Sequence, residues 1–152
     1  MKKFFFALET VLSYKEQVLD GLKGEHARIL AKVRECERAL EALEEERCLC
    51  ASEFQEHRIK GMTIGEAHAY EGYLDSLRIR IYMKQQQLAK LREQEEAKRS
   101  EVVEAKKGAS SIEKLREKKL DSYNKAVQKS EELIIEEFVT TARVMAAQGA
   151  FA

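Results

Sequence analysis

The sequence predicts an all-α protein, a long antiparallel two-helix coiled-coil hairpin in which the second helix overhangs the first. Three observations carry this expectation. Charged residues make up 36% of the 152 and aromatics 7%, with neither Pro nor Trp, a composition typical of long helices in coiled coils. Apolar residues recur at alternating steps of four and three along most of the chain, which marks a helical seam rather than a strand. Turn and cap signals coincide in only one stretch, Ile59 to Glu66. The chain is therefore read as a single coiled-coil domain over 1–152, with a helix at 4–60, a turn at 60–63 and a helix at 64–147.

The first helix is justified by its seam. Stepping from Leu8 gives Leu12, Lys15, Leu19, Leu22, His26, Ile29, Val33, Cys36, Leu40, Leu43, Arg47, Cys50 and Phe54, so that only Lys15, His26 and Arg47 interrupt the apolar series. Gly21 and Gly24 are its weak point, because each costs about 1 kcal/mol relative to Ala in a helix interior.

The turn has a mechanism. Thr63 suits an N-cap and Glu66, three positions on, suits the return half of a capping box. Met62 and Ala67 occupy the staple positions, and Gly61 suits the left-handed residue that closes the preceding helix.

The second helix continues the same stepping from Tyr70 through Leu74, Leu77, Ile81, Lys84, Leu88, Leu91, Glu95, Lys98, Val102, Ala105, Ala109 and Ile112. Antiparallel folding requires facing residues to have a constant sum of residue numbers. Phe54 with Tyr70, Cys50 with Leu74, Leu43 with Ile81, Cys36 with Leu88, Val33 with Leu91, Leu22 with Val102 and Leu12 with Ile112 all satisfy it. Charge agrees, since Glu35, Glu37, Glu41, Glu44, Glu45 and Glu46 run beside Arg78, Arg80, Lys84 and Lys90. A parallel dimer would stack each like-charged stretch on its own copy.

This register exhausts the first helix near residue 116. About 30 residues of the second helix then extend beyond it, about 45 Å at the helical rise. The overhang carries Tyr123, Val127, Leu133, Ile134, Ile135, Phe138, Val144 and Met145 beside Phe4, Phe5 and Phe6. Such a stripe requires covering by a partner, by self-association or by a tail bent back on it.

Function classes narrow by elimination. The 27 basic and 27 acidic residues cancel, so no general attraction to nucleic acid or an anionic membrane is expected. The five apolar residues after Met1-Lys2-Lys3 are cut short by Glu9, below signal-peptide length, and no run approaches a membrane span. Cys36, Cys48 and Cys50 are an odd set for a disulfide framework, and the last two point to different faces, so free thiols are expected. His26, His57 and His68 are isolated, and no catalytic residue, metal site or cofactor loop is recognisable. The protein is read as a non-enzyme. Lysines and arginines at 106, 107, 114, 116, 118, 119, 125 and 129 read first as solvated helix surface, with an acidic protein partner as the functional alternative; interleaved Glu113, Glu117 and Asp121 argue against a zipper-type DNA binder.

Four stretches carry a resemblance: Phe4-Phe-Phe-Ala-Leu-Glu-Thr-Val-Leu12, Tyr70-Glu-Gly-Tyr-Leu-Asp-Ser-Leu77, Leu115-Arg-Glu-Lys-Lys119 with Tyr123, and Glu136-Glu-Phe138. In this order, over nearly the whole chain, they resemble the flagellar export protein FliJ family. Family members often have Asp where this chain has Glu136, and the injectisome stalk proteins are the sister family. The resemblance implies a stalk of the flagellar type III export apparatus, serving flagellum biogenesis and motility, cytoplasmic and peripherally associated with the inner membrane at the flagellar base. It implies as partners the hexameric flagellar export ATPase, whose ring it enters and helps to assemble, the membrane export gate protein, and export chaperones as further candidates, with no nucleic acid and no direct membrane insertion. The ring-binding residues it implies are Phe4, Phe6, Leu8, Leu12, Arg116, Lys118, Lys119, Tyr123, Glu137 and Phe138. The gate-binding residues it implies are Tyr73, Leu77, Arg80 and Lys84, spaced at i, i+4, i+7 and i+11; Leu77 and Lys84 also belong to the seam, so a structural role competes there. Alternatives are an injectisome stalk or a generic coiled-coil spacer.

Overall fold

The computed structural model describes residues 2–150. Two long helices pack against each other as a hairpin, α1 over Glu9–Lys60 and α2 over Ile64–Ala150, with no strand among the described residues. The chain divides into two compact units, a central one over Val18–Glu104 and a terminal one formed by the described residues up to Gln17 with those from Ala105 onward.

The central unit contains the turn. Gly61 has φ +98°, a left-handed conformation that strains any residue carrying a Cβ. The Glu66 amide donates to Thr63 Oγ1 at 3.2 Å and the Ala67 amide to the Thr63 carbonyl at 3.1 Å, so Thr63 is the N-cap of α2 and the forward half of the box is formed. The Phe54 and Tyr70 rings meet at 5.2 Å just inside the turn, a pair that the constant-sum register predicts. Beyond them Cys50, Leu77, Ile81, Leu88, Cys36 and Val33 are buried, with Ile29, Leu40 and Leu91 packed on the Val33–Cys36–Leu88 cluster. The Cys36 thiol donates to the Lys84 carbonyl at 3.7 Å.

The charge pairing differs in detail from the expectation. Across the helices of this unit, Arg92 pairs with Glu37 at 3.2 Å and Lys98 with Glu25 at 2.9 Å. Arg78 turns instead to Asp75 of its own helix, and Lys84 to Gln87. Long side chains on an exposed flank choose among partners of similar energy, so complementarity of two stretches does not specify pairs.

In the terminal unit the start of α1 departs from the sequence reading. The helix begins at Glu9, five residues later than expected, and residues 2–6 are not helical. In a helix, successive side chains are about 100° apart and the three phenylalanines would point three ways. Unwound, they alternate. Phe6 is buried and Phe4 half-buried against α2, while Phe5 is exposed. An unwound chain also advances about twice as far per residue as a helix, which brings Lys2 alongside Tyr123. Leu12 and Ala109 complete this small core.

The overhang is consequently shorter than the sequence suggested. Half-buried positions continue along α2 through Leu120, Tyr123, Val127 and Ser130. From 131 to 150 every residue is exposed.

Candidate functional site

The chemistry-bearing features lie on two surfaces, one in each unit. In the terminal unit, Arg116 Nε donates to Glu9 Oε2 at 2.8 Å, and its guanidinium lies 5.7 Å from the centroid of the Phe4 ring, within cation–π range. That ring is 5.5 Å from Tyr123, whose hydroxyl donates to the Lys2 carbonyl at 2.6 Å. Phe4, Arg116 and Tyr123 thus hold one another. Phe6, 4% exposed, and Leu12 are core residues in this conformation and present no side-chain surface.

The remaining ring-binding candidates face outward. Leu8 is partly exposed and Phe138 is 75% exposed; Lys118, Lys119 and Glu137 lie on the surface. The arrangement is a basic band followed by an acidic and apolar tail. Lys114, Lys118 and Lys119 come first; Leu133, Ile134, Ile135, Phe138, Val139, Val144 and Met145 then emerge among Glu131, Glu132, Glu136 and Glu137. So much exposed large apolar surface in one stretch is what a protein-binding surface looks like before its partner arrives.

In the central unit, Tyr73 donates its hydroxyl to the Glu46 carboxylate and Arg80 is exposed. Lys84 is half-buried with Nζ 3.2 Å from Gln87 Oε1. Leu77 is 0% exposed and belongs to the seam, the structural alternative weighed for it, because its position faces α1 squarely while Tyr73 and Arg80 flank it. Two adjoining grooves meet at Glu46. One is lined by Leu49, Cys50, Tyr70 and Tyr73, the other by Ala39, Ala42, Leu43, Arg80, Met83 and Lys84. Burial pushes the Cys50 thiol pKa up, helped by the nearby Glu53 and Glu46 carboxylates. The α1 contribution to this face, Ala39, Ala42, Glu46 and Leu49, is absent from the sequence-derived set. The antiparallel register, applied to Tyr73 and Arg80, would have located it.

A buried polar layer of the central unit also escaped the sequence reading. His26 Nε2 lies 2.9 Å from Glu95 Oε1, and Arg99 Nε donates to the same oxygen at 3.1 Å. These hydrogen bonds, His26 first and Arg99 next, hold the Glu95 carboxyl below its ordinary range. One turn along, the hydrogen bond from Lys98 lowers Glu25, and the bonds to Glu25 and then Glu101 raise Lys98. The signal was present in the sequence. His26, Glu95 and Lys98 all fall on the seam stepping at neighbouring heights.

Among the described residues no group of three or more His, Cys, Asp or Glu could hold a metal ion, and all three cysteines are free. No helix among them is long and apolar enough to cross a membrane.

A family model described as flagellar FliJ protein matches residues 4–144. No curated protein and no solved structure gives a match.

Proposed function

Because the chain belongs to the flagellar FliJ protein family, a component of the flagellar export apparatus, we propose that it is the stalk of that apparatus: it inserts in the hexameric export ATPase ring, promotes assembly of the ring and couples it to the membrane export gate. The protein contributes binding energy rather than chemistry, working in the cytoplasm at the inner-membrane face of the flagellar base. The observation that carries the reading is the α2 segment from 131 to 150, exposed on every side and bearing Phe138 among Glu136 and Glu137. Such a segment is costly to leave in water and suits insertion in a partner's cavity. Lys118 and Lys119 supply the adjacent basic band, and Leu8 the outward apolar contact of the N-terminal segment. Phe4, Phe6, Leu12, Arg116 and Tyr123 shape the same end from within.

The gate surface in this reading is the face of Tyr73, Arg80 and Lys84 with the grooves shared with α1, and Leu77 holds that face in place from beneath. Export chaperones would use the same exposed faces.

The test is direct. The purified chain should bind its export ATPase and stimulate both hexamer formation and ATP turnover. Phe138→Asp, or the pair Lys118→Glu and Lys119→Glu, should reduce the stimulation while the helical content is kept. Absence of both binding and stimulation with the wild-type chain would overturn the proposal.

A further inference from the structure

The α2 face that the N-terminal segment covers does not stop where that segment stops. Stepping by three or four from Arg116 gives Leu120, Tyr123, Val127 and Ser130, all half-buried, and then Ile134, Phe138, Thr141 and Met145, all exposed. The same side of one helix is therefore sealed over its first half and open over its second. At Arg116 and Tyr123 the cover is the segment Lys2 to Leu8, which lies outside α1.

Its attachments are few and separable from the coiled coil. Tyr123 Oη donates to the Lys2 carbonyl at 2.6 Å, Phe4 lies on Tyr123 and under Arg116, and Phe6 plugs the remaining gap at 4% exposed. Lys2, Lys3, Phe5, Ala7 and Leu8 are exposed. Where the segment joins α1, the Glu9 amide donates to the Phe6 carbonyl at 3.2 Å, so a bend rather than a continuous helix connects the two. A short non-helical segment held by two rings and one hydrogen bond opens more readily than either helix.

We propose that Lys2–Leu8 is a latch that occludes the inner half of this α2 face, and that a partner helix running along the face from Met145 inward must lift it. The proposal rests on the stalk reading for its partner, and it reverses the role expected of Phe4 and Phe6. Their rings occupy the seam in the free chain instead of presenting to the ATPase. Lifting them joins Tyr123 to the apolar stripe already open. The charges alongside commit the partner's chemistry, since Glu131 and Glu137 border the stripe on its two sides and favour an amphipathic helix with basic flanks.

Tyr123→Phe in the full-length chain keeps the ring and removes the bond to Lys2. Losing one net hydrogen bond shifts a two-state opening by roughly fivefold, and under mild conditions proteolysis follows the open population. Cleavage within Lys2–Leu8 by a protease of broad specificity such as proteinase K, followed by the mass of the large fragment, should accelerate by roughly that factor, and by more in Phe4→Ala with Phe6→Ala. The circular dichroism and melting of the helices should hold in Tyr123→Phe. Cleavage at the wild-type rate in both variants would overturn the latch. In the second arm, both variants should bind the export ATPase more tightly than wild type. Weaker binding would mean that the segment is itself the contact, and would also overturn it. If the wild-type chain does not bind the ATPase at all, the stalk reading falls instead, and the cleavage rates alone decide whether the latch exists.

Discussion

Glu95 and His26 face each other across the seam of the central unit, Oε1 to Nε2 at 2.9 Å, where the heptad stepping would place two apolar side chains. Glu95 is only 7% exposed. A buried carboxylate is tolerated only when its oxygens are paired, and here His26 and Arg99 both reach Oε1. Polar layers of this kind can set register in coiled coils at some cost in stability.

The pair makes stability depend on acid. Glu95 titrates below its ordinary 4.5 in the folded chain, so its contribution is fully present above that value and is lost as pH falls through the lowered folded value. Thermal melts should show Glu95→Gln less stable than wild type at pH 7, with the two curves converging as pH drops below 4.5. A constant difference down to low pH would contradict this account.

Leu77 and Arg80 separate structure from surface. Leu77→Ala leaves a cavity at a fully buried position and should cost about 2–5 kcal/mol in chemical denaturation. Arg80→Ala, at an exposed site, should change stability by less than about 0.5 kcal/mol. Loss of binding to the proposed gate partner in Arg80→Ala would then be a surface effect and not one of folding.

The glycines should respond in opposite directions. Gly61 holds φ +98°, and Gly61→Ala should destabilise by about 1–2 kcal/mol through left-handed strain. A methyl group added at Gly21 or Gly24 would meet no neighbouring side chain within 4 Å, and Ala at either should stabilise α1 by about 0.5–1 kcal/mol. Urea midpoints of the three variants check both signs.

Thiol accessibility offers a check on the seam. Cys48 is exposed while Cys36 and Cys50 are buried, and burial also holds the Cys50 thiol protonated to higher pH. A thiol reagent under native conditions should label one cysteine rapidly, identified as Cys48 by peptide mass, and the other two only on unfolding.

Much of the fold was legible because coiled-coil order is periodic. Val33, Cys36, Cys50, Leu77, Ile81, Leu88 and Ala109, all on the predicted stepping, are buried, and the Phe54–Tyr70 contact matches the predicted register. The candidate surfaces were legible only in part. Periodicity places Leu77 on the seam, whereas its exposure relative to Tyr73 and Arg80 depends on how closely α1 covers that height. Nor could it assign Glu95 to His26, because a seam position states which way a side chain points and not which polar atom it meets.

The sequence by itself determined the two helices and the turn at Gly61–Thr63, since a seam of alternating steps, a left-handed glycine and an N-cap act through neighbours within a turn or two, and it determined the antiparallel register because two periodic seams joined by one short turn align at a constant sum of residue numbers. Only the tertiary structure decided that α1 starts at Glu9 and that the residues before it unwind along α2. Phe4-Phe5-Phe6 has no strong local preference of its own. The choice between a helix, with its rings on three sides, and an unwound segment, with Phe4 and Phe6 on one side, depends on what α2 offers. Tyr123, Arg116 and the gap that Phe6 fills settle it, more than a hundred residues away along the chain.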